Sequence, residues 1–321
     1  MVDLYNATLV EIHGSAKTLN TLFERRLLTN IGKGGVGKTF LSSSLALAAS
    51  LTGKRVLLAE VRCRNAPGLF RATTNGVGPL VLTERLTWMN LTPKIALEIY
   101  GMKLLRFKAV YRAVFEQRNI QRFLRAVPAL AEILVLGHLT YLIEQGEYDL
   151  VVLDAPSTGP GRLLLDAPRA VLGSAPRGPL YDGAAWIDGL LQDQVRSAIN
   201  LAVVPEELPV HEAIELHHHL RDNLRLPLGA LLINRLLPDP FPPRSKKLLS
   251  VLGALPAGEA LAHAGAWYRA RLRIQKGHLD RLRAVVNLPM LQVGESLDVP
   301  YGPPVVEQVA QAFARLAKEA P

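Results

Sequence analysis

Five short apolar runs stand out along the chain: Leu27 to Ile31, Val56 to Glu60, Leu150 to Asp154, Leu201 to Val204 and Ala230 to Asn234. Their length and their turn-forming or charged flanks predict strands. None alternates polar with apolar residues, so each is expected to be covered on both faces, as in a parallel sheet between helices. The segments between them, such as Phe40 to Leu51 and Val210 to Leu224, have helical period. The pattern predicts an α/β fold, a doubly wound and mostly parallel sheet. From Leu91 to Tyr141 no strand pattern appears, while Leu97, Leu104, Phe107, Tyr111, Val114 and Phe115 recur at helical spacing. This predicts a helical insert at about residues 91–141. Residues 1–18 read as an N-terminal extension to a domain over residues 19–321, and Gly159 to Gly189 as a Pro/Gly-rich loop region. The amphipathic stretch Val305 to Ala317 is expected to pack on the sheet.

The first strand runs into Gly32-Lys33-Gly34-Gly35-Val36-Gly37-Lys38-Thr39, which satisfies the G-x4-G-K-[ST] pattern and opens a predicted helix. Backbone N–H groups of such a loop cradle phosphates, Lys38 is placed to reach the β/γ oxygens, and Thr39 to ligate Mg²⁺. Asp154 closes another apolar strand at its carboxyl end, where nucleotide sites of open α/β sheets lie. Asn234 also closes a strand, a position at which Asn is often a turn former.

Lys33 makes the loop the deviant form KGGVGKT, and with it the chain resembles the arsenical-pump and tail-anchored-protein-targeting ATPases (the ArsA/GET family), relatives of the MinD and ParA ATPases. The likeness extends to Tyr148-Asp-Leu-Val-Val-Leu-Asp-Ala-Pro-Ser-Thr-Gly-Pro-Gly161, similar to the switch II segment, and to Leu201–Leu237 with its PEELP and LLINRLLP. The resemblance implies an ATPase using ATP and Mg²⁺, with Lys33 reaching across a dimer interface to the partner's nucleotide. It also implies that Asp154 supports the Mg²⁺ water shell and that Asn234 contacts adenine.

Three positions depart from the family pattern. Counted from Thr39 without a gap, the carboxylate that orients the attacking water falls on Arg62, whose guanidinium has donors but no acceptor. Glu60, two residues earlier, is the candidate substitute, or else a partner for Arg62. Phe40 stands where relatives carry a hydroxyl for the α-phosphate, which weakens binding without abolishing it. Pro160 replaces a common His in the switch segment. The expected catalytic set is therefore Lys38, Lys33, Asp154 and Glu60, with Thr39 and Asp154 at the metal and residues 32–40 and Asn234 at the nucleotide.

Composition narrows the partners. The 321 residues carry a formal charge of +9, which favours anionic ligands. Much of it sits on the expected insert, where Lys94, Lys103, Arg106, Lys108, Arg112, Arg118, Arg122 and Arg125 face only Glu98 and Glu116. In the family this insert bears the cargo surface, and a basic amphipathic helix suits an acidic protein or an anionic membrane. A solvated face is the plain alternative. Cys63 is the single cysteine, so arsenite, which the family holds with several thiolates, is not an expected cargo. A second basic run, Arg269 to Arg283, comes with no recognition motif, and nucleic acid is not an expected partner. His211, Glu215 and His219 share a helix face but span too far for one compact metal site. The start of the chain lacks a secretory layout, which predicts a cytoplasmic protein. Three functions stay open: a dimeric ATPase that couples nucleotide state to a partner, a non-hydrolysing regulatory subunit of a heterodimer, and a ParA-like partition ATPase.

Overall fold

A computed structural model describes residues 10–74, 78–97, 129–239, 251, 258–296 and 302–319. The first half runs β1 (Ile12–His13), α1 (Ala16–Phe23), β2 (Leu27–Gly32), α2 (Lys38–Leu51), β3 (Val56–Val61), β4 (Leu80–Thr83), β5 (Leu86–Leu91), α3 (Pro93–Ala96) and α4 (Leu130–Gln145). It continues with β6 (Leu150–Ser157), α5 (Thr158–Ser174), α6 (Pro179–Gln192), β7 (Ser197–Val203), α7 (Glu207–His218), β8 (Leu228–Leu236), α8 (Glu259–Val285), β9 (Met290–Gly294) and α9 (Pro303–Lys318).

Among the described residues the nine strands form one sheet in the order β1-β9-β8-β7-β2-β6-β3-β5-β4. Every pair from β9 to β5 is parallel, and only the edge strands β1 and β4 run antiparallel to their neighbours. All five apolar runs of the sequence are strands. Their side chains alternate between two cores: Leu27, Ile31, Val151 and Leu153 face α4 to α7, while Leu28, Leu58 and Val152 face α1, α2 and α9. The result is a three-layer α/β/α domain. From β2 the chain crosses to β3 on one side, and from β6 it returns past β2 to β7 on the other. The crevice this leaves at the carboxyl end of β2 is where such sheets bind ligands.

Three expectations need correction. The expected boundary at residue 18 falls inside α1, and residues 10–18 are integral to the domain: Ile12 and His13 pair with Val293 and Gln292, and Val10 is buried. Residues 1–9 lie outside the described part. The segment from Gly159 to Gly189 is helical across α5 and α6; Pro160 occupies the first turn of α5, where N–H groups lack intrahelical acceptors anyway, and Pro179 opens α6. Pro168, inside α5, is tolerated there because the helix is held by buried Leu164, Leu165 and Val171. The expected insert ends differently too. Its last part, α4, is a core crossover helix with Ile133, Val135, Leu136 and Leu139 buried, and residues 98–128, with most of the basic cluster, lie outside the described part. The amphipathic C-terminal helix α9 packs chiefly on α2 and α1.

Candidate functional site

β2 delivers the chain into the loop of residues 33–37. Only glycine fits its two ends. A side chain on Gly32 would put Cβ 2.1 Å from the Ala202 carbonyl of β7, and Gly37, at φ 87°, would put Cβ 2.3 Å from Asn234 Nδ2. Gly35, at φ 85°, turns the loop. Gly37 caps α2 with no side-chain hydrogen bond, so the N-terminus of the helix is presented to a ligand and not to a capping side chain of residue 37. The Lys38 ammonium bridges the loop by donating to the Lys33 carbonyl at 2.9 Å. Burial lowers its pKa, against the opposing charges of Asp154 and Cys63.

Behind the loop, Asp154 is bound by two hydroxyls of α2. Thr39 Oγ1 donates to Oδ2 at 2.6 Å and Ser42 Oγ to Oδ1 at 3.0 Å. Burial pushes its pKa up to about 6, against the two hydroxyl bonds. A cation at this site favours the ionised form. Asp154 belongs to a buried polar row. Strand register aligns Asn90, Glu60, Asp154, Asn30 and Asn200 across β5, β3, β6, β2 and β7, all on the face under α2.

Asn234 lies inside β8, not at a turn. Its Nδ2 donates to the Val36 carbonyl at 3.0 Å and so ties β8 to the loop, while its buried Oδ1 has no partner. An acceptor of that kind fits an exocyclic amine of a base. A cavity of about 340 Å³ opens between the ends of β7 and β8 and helix α8, lined by Val204, Pro205, Arg235, Leu237, Gln275 and His278 among others. A helix N-terminus, a lysine over the loop, a hydroxyl–carboxylate pair and an unpartnered amide oxygen on Asn234 together fit a magnesium nucleotide.

Residues 25–173 match the anion-transporting ATPase family, ArsA ATPase. The chain is 29% identical to "ATPase BagA" of Mycobacterium tuberculosis over 234 residues, 68% of this chain and 67% of that protein. It is 30% identical to the "Arsenical pump-driving ATPase" of Escherichia coli over 216 residues, 66% of this chain but 35% of that one. A "Putative arsenical pump-driving ATPase" of Halobacterium salinarum is 25% identical over 255 residues, 73% of this chain and 39% of that protein. The match to the ArsA ATPase family takes in the loop, Asp154 and most of α5.

Against the ArsA pattern, the segment after β3 is rebuilt. Glu60 is fully buried with both oxygens engaged: Oε1 accepts from the Asn65 N–H at 3.1 Å, and Oε2 from the Ala66 N–H at 3.0 Å and Trp88 Nε1 at 2.7 Å. It makes no bond to Arg62; its oxygens are held by the turn after β3 and by Trp88 of β5. Arg62 adopts a left-handed φ of 58° and bonds Glu132 of α4 at 3.1 Å. The following residue, Cys63, is the one whose thiol lies in electrostatic reach of Lys38 and Asp154. Burial, with Glu60 and Asp154, raises the pKa of that thiol. Phe40 is buried in the core between α2 and the sheet.

Lys33 is held within its own chain by an ion pair with Glu212 of α7, whose other oxygen accepts from Thr158 Oγ1 at the start of α5, at 3.3 Å. The histidines do not converge. His211 pairs with Glu215, His219 with Asp166 on α5, and no cluster of metal-ligating side chains occurs among the described residues. No described helix is long and apolar enough to cross a membrane. Sequence reasoning missed Ser42, Asn30, Asn200 and Glu212. For the two asparagines a signal existed, a lone amide inside an otherwise apolar strand.

Proposed function

We propose that this protein binds Mg-ATP on the loop of residues 32–39 and hydrolyses it slowly as a dimer, with its nucleotide state passed to a partner. The observation that carries the reading is the Thr39–Asp154 hydrogen bond beneath the N-terminus of α2. A hydroxyl paired with a carboxylate at that point supports a phosphate-bound cation, which takes oxygen ligands. In this reading the N–H groups of residues 34–39 and Lys38 hold the phosphates, and Asn234 Oδ1 receives the base. Bound Mg²⁺ supplies charge neutralisation on the phosphate oxygens. Lys33 leaves Glu212 to reach the nucleotide of a second protomer. Residues 94–125 supply the basic surface for a protein cargo or a membrane-associated partner.

Slow hydrolysis follows from the rebuilt segment. With both Glu60 oxygens already held by N–H donors and Arg62 donating to Glu132, neither side chain is set up to take a proton from an attacking water. The same observation supports a second reading, a regulatory subunit that binds nucleotide and leaves hydrolysis to a related chain. Calorimetry and a turnover assay on the purified protein test both. Lys38→Ala is expected to lower ATP affinity tenfold or more, since a charged hydrogen bond is worth about 1.5 kcal/mol or more. Slow but measurable single turnover supports the ATPase. Binding with none at all supports the regulatory subunit, and equal ATP affinity in folded parent and variant overturns the nucleotide site itself.

A further inference from the structure

From β8 to Asp154, the polar row beneath α2 is joined by hydrogen bonds that all point one way. The Ala230 N–H of β8 donates to Asn200 Oδ1 at 2.9 Å, Asn200 Nδ2 to Asn30 Oδ1 at 2.8 Å, and Asn30 Nδ2 to Ser42 Oγ at 3.0 Å. The Ser42 hydroxyl then gives its proton to Asp154 Oδ1 at 3.0 Å. Asn200, Asn30 and Ser42 are fully buried, and no nitrogen or oxygen of these three side chains lacks a partner. Each residue spends its acceptor on the link behind and its donor on the link ahead, which leaves Ser42 one orientation for its proton.

The backbone is adapted to this path. The register of β7 against β8 shifts between Ile199 and Leu201, beside the point where Asn200 takes the Ala230 N–H. Gly229 has no side chain to oppose it: a Cβ there would sit 2.4 Å from Asn200 Oδ1. Polar groups in a core are destabilising unless paired, and apolar residues would fill these strand positions at less risk. Ser43 and Ser44, next along α2, are equally buried, and their hydroxyls have no partner. The chain of bonds is therefore specific to the one serine that touches Asp154.

We infer that Asn200, Asn30 and Ser42 are positioning residues: their chain of hydrogen bonds fixes the Asp154 carboxylate in the orientation that favours magnesium-bound over magnesium-free nucleotide. The inference rests on the nucleotide reading above. Thr39 sets one oxygen of Asp154 and Ser42 the other, so loss of the Ser42 donor leaves the carboxylate free to rotate about the Thr39 bond.

The test is calorimetry of the full chain with a non-hydrolysable ATP analogue, once in excess Mg²⁺ and once in EDTA, read as the ratio of the two affinities. Ser42→Ala is expected to cut that ratio about tenfold, the size of one hydrogen bond to a charged group. Ala is the best helix former, so this variant keeps α2 intact. Ser42→Cys, a weaker donor of similar shape, is expected to fall between parent and Ser42→Ala. Asn30→Leu, one link further back, is expected to cut the ratio by less, about threefold. A purely structural network would lower the melting temperature of these variants and leave the ratio alone; that result overturns the inference. If the parent itself binds the analogue equally with and without Mg²⁺, the magnesium-nucleotide reading falls, and this inference with it.

Discussion

A buried carboxylate held by three N–H donors is a poor base, and Glu60 is held in that way. Three N–H donors converge on its two oxygens, from Asn65, Ala66 and Trp88, so it folds the turn after β3 and docks the neighbouring strand. Glu60→Gln turns an acceptor into an amide facing those donors, and the expected loss of stability is on the order of 2–3 kcal/mol by denaturant unfolding. ATP turnover per folded molecule should not change. A fall in turnover with stability intact would return Glu60 to the catalytic set. Arg62 is the complementary case. Its left-handed φ of 58° suits Asp or Asn better than a long side chain, and its guanidinium is engaged by Glu132. Arg62→Asp restores an acceptor at the family's water position and is expected to raise steady-state turnover tenfold or more, the contribution of one positioned acid/base group. Brisk hydrolysis by the parent, slowed by Arg62→Asp, would show that the water is held elsewhere.

The elements around the site differ in how plainly the sequence announces them. β2, β3, β6, β7 and β8 are legible because strands covered on both faces leave unbroken apolar runs. The loop of residues 32–39 is legible because phosphate geometry demands glycines and a lysine at fixed offsets. α5 and α6 are not, since Pro160, Pro168, Gly159 and Gly189 look like breakers until tertiary packing overrides propensity. β1, with two residues, is too short to carry a period, and β4 and β9 are partly exposed. The partners of a site side chain are hidden for a different reason, being set by distances in space. Glu212 is 179 positions from Lys33, and nothing in α7 marks it. That ion pair joins the loop, α7 and the start of α5, and it competes with any second protomer for Lys33. Glu212→Gln removes the competing charge, so it is expected to shift the monomer–dimer equilibrium in Mg-bound ATP analogue toward dimer by several-fold in sedimentation. Lys33→Ala should shift it toward monomer. Less dimer in Glu212→Gln than in the parent would show that Glu212 serves the interface and not the monomer.

At the scale of the whole molecule, stability as a function of pH is governed by the few titratable groups that folding buries. His138, on α4, is fully buried, and neither ring nitrogen has a partner. Burial lowers its pKa to about 4 from an ordinary 6.5. The unfolded chain takes up a proton near pH 6.5 and the folded one does not, so His138 leaves stability untouched above that pH and costs progressively more as pH falls toward 4. Two to three pH units at about 1.4 kcal/mol each give a full effect on the order of 3 kcal/mol. Asp154 acts in the opposite sense. Its folded pKa, raised to about 6, lets the folded state bind a proton first, and acidification from about pH 6 to 4 favours folding at that site. The parent's unfolding curve between pH 6 and 4 sums these opposing effects, with buried His217, its pKa also lowered by burial, on the histidine side, and isolates no single group. The difference between parent and His138→Leu isolates one of them, because Asp154 and His217 are common to both. In EDTA and without nucleotide, the variant's denaturation free energy relative to the parent is expected to rise by on the order of 2–3 kcal/mol between pH 7 and pH 4. A pH-independent difference would mean that the imidazole finds a partner or solvent in the folded state, and α4 would then be less tightly packed than its neighbours Leu136 and Leu139 indicate.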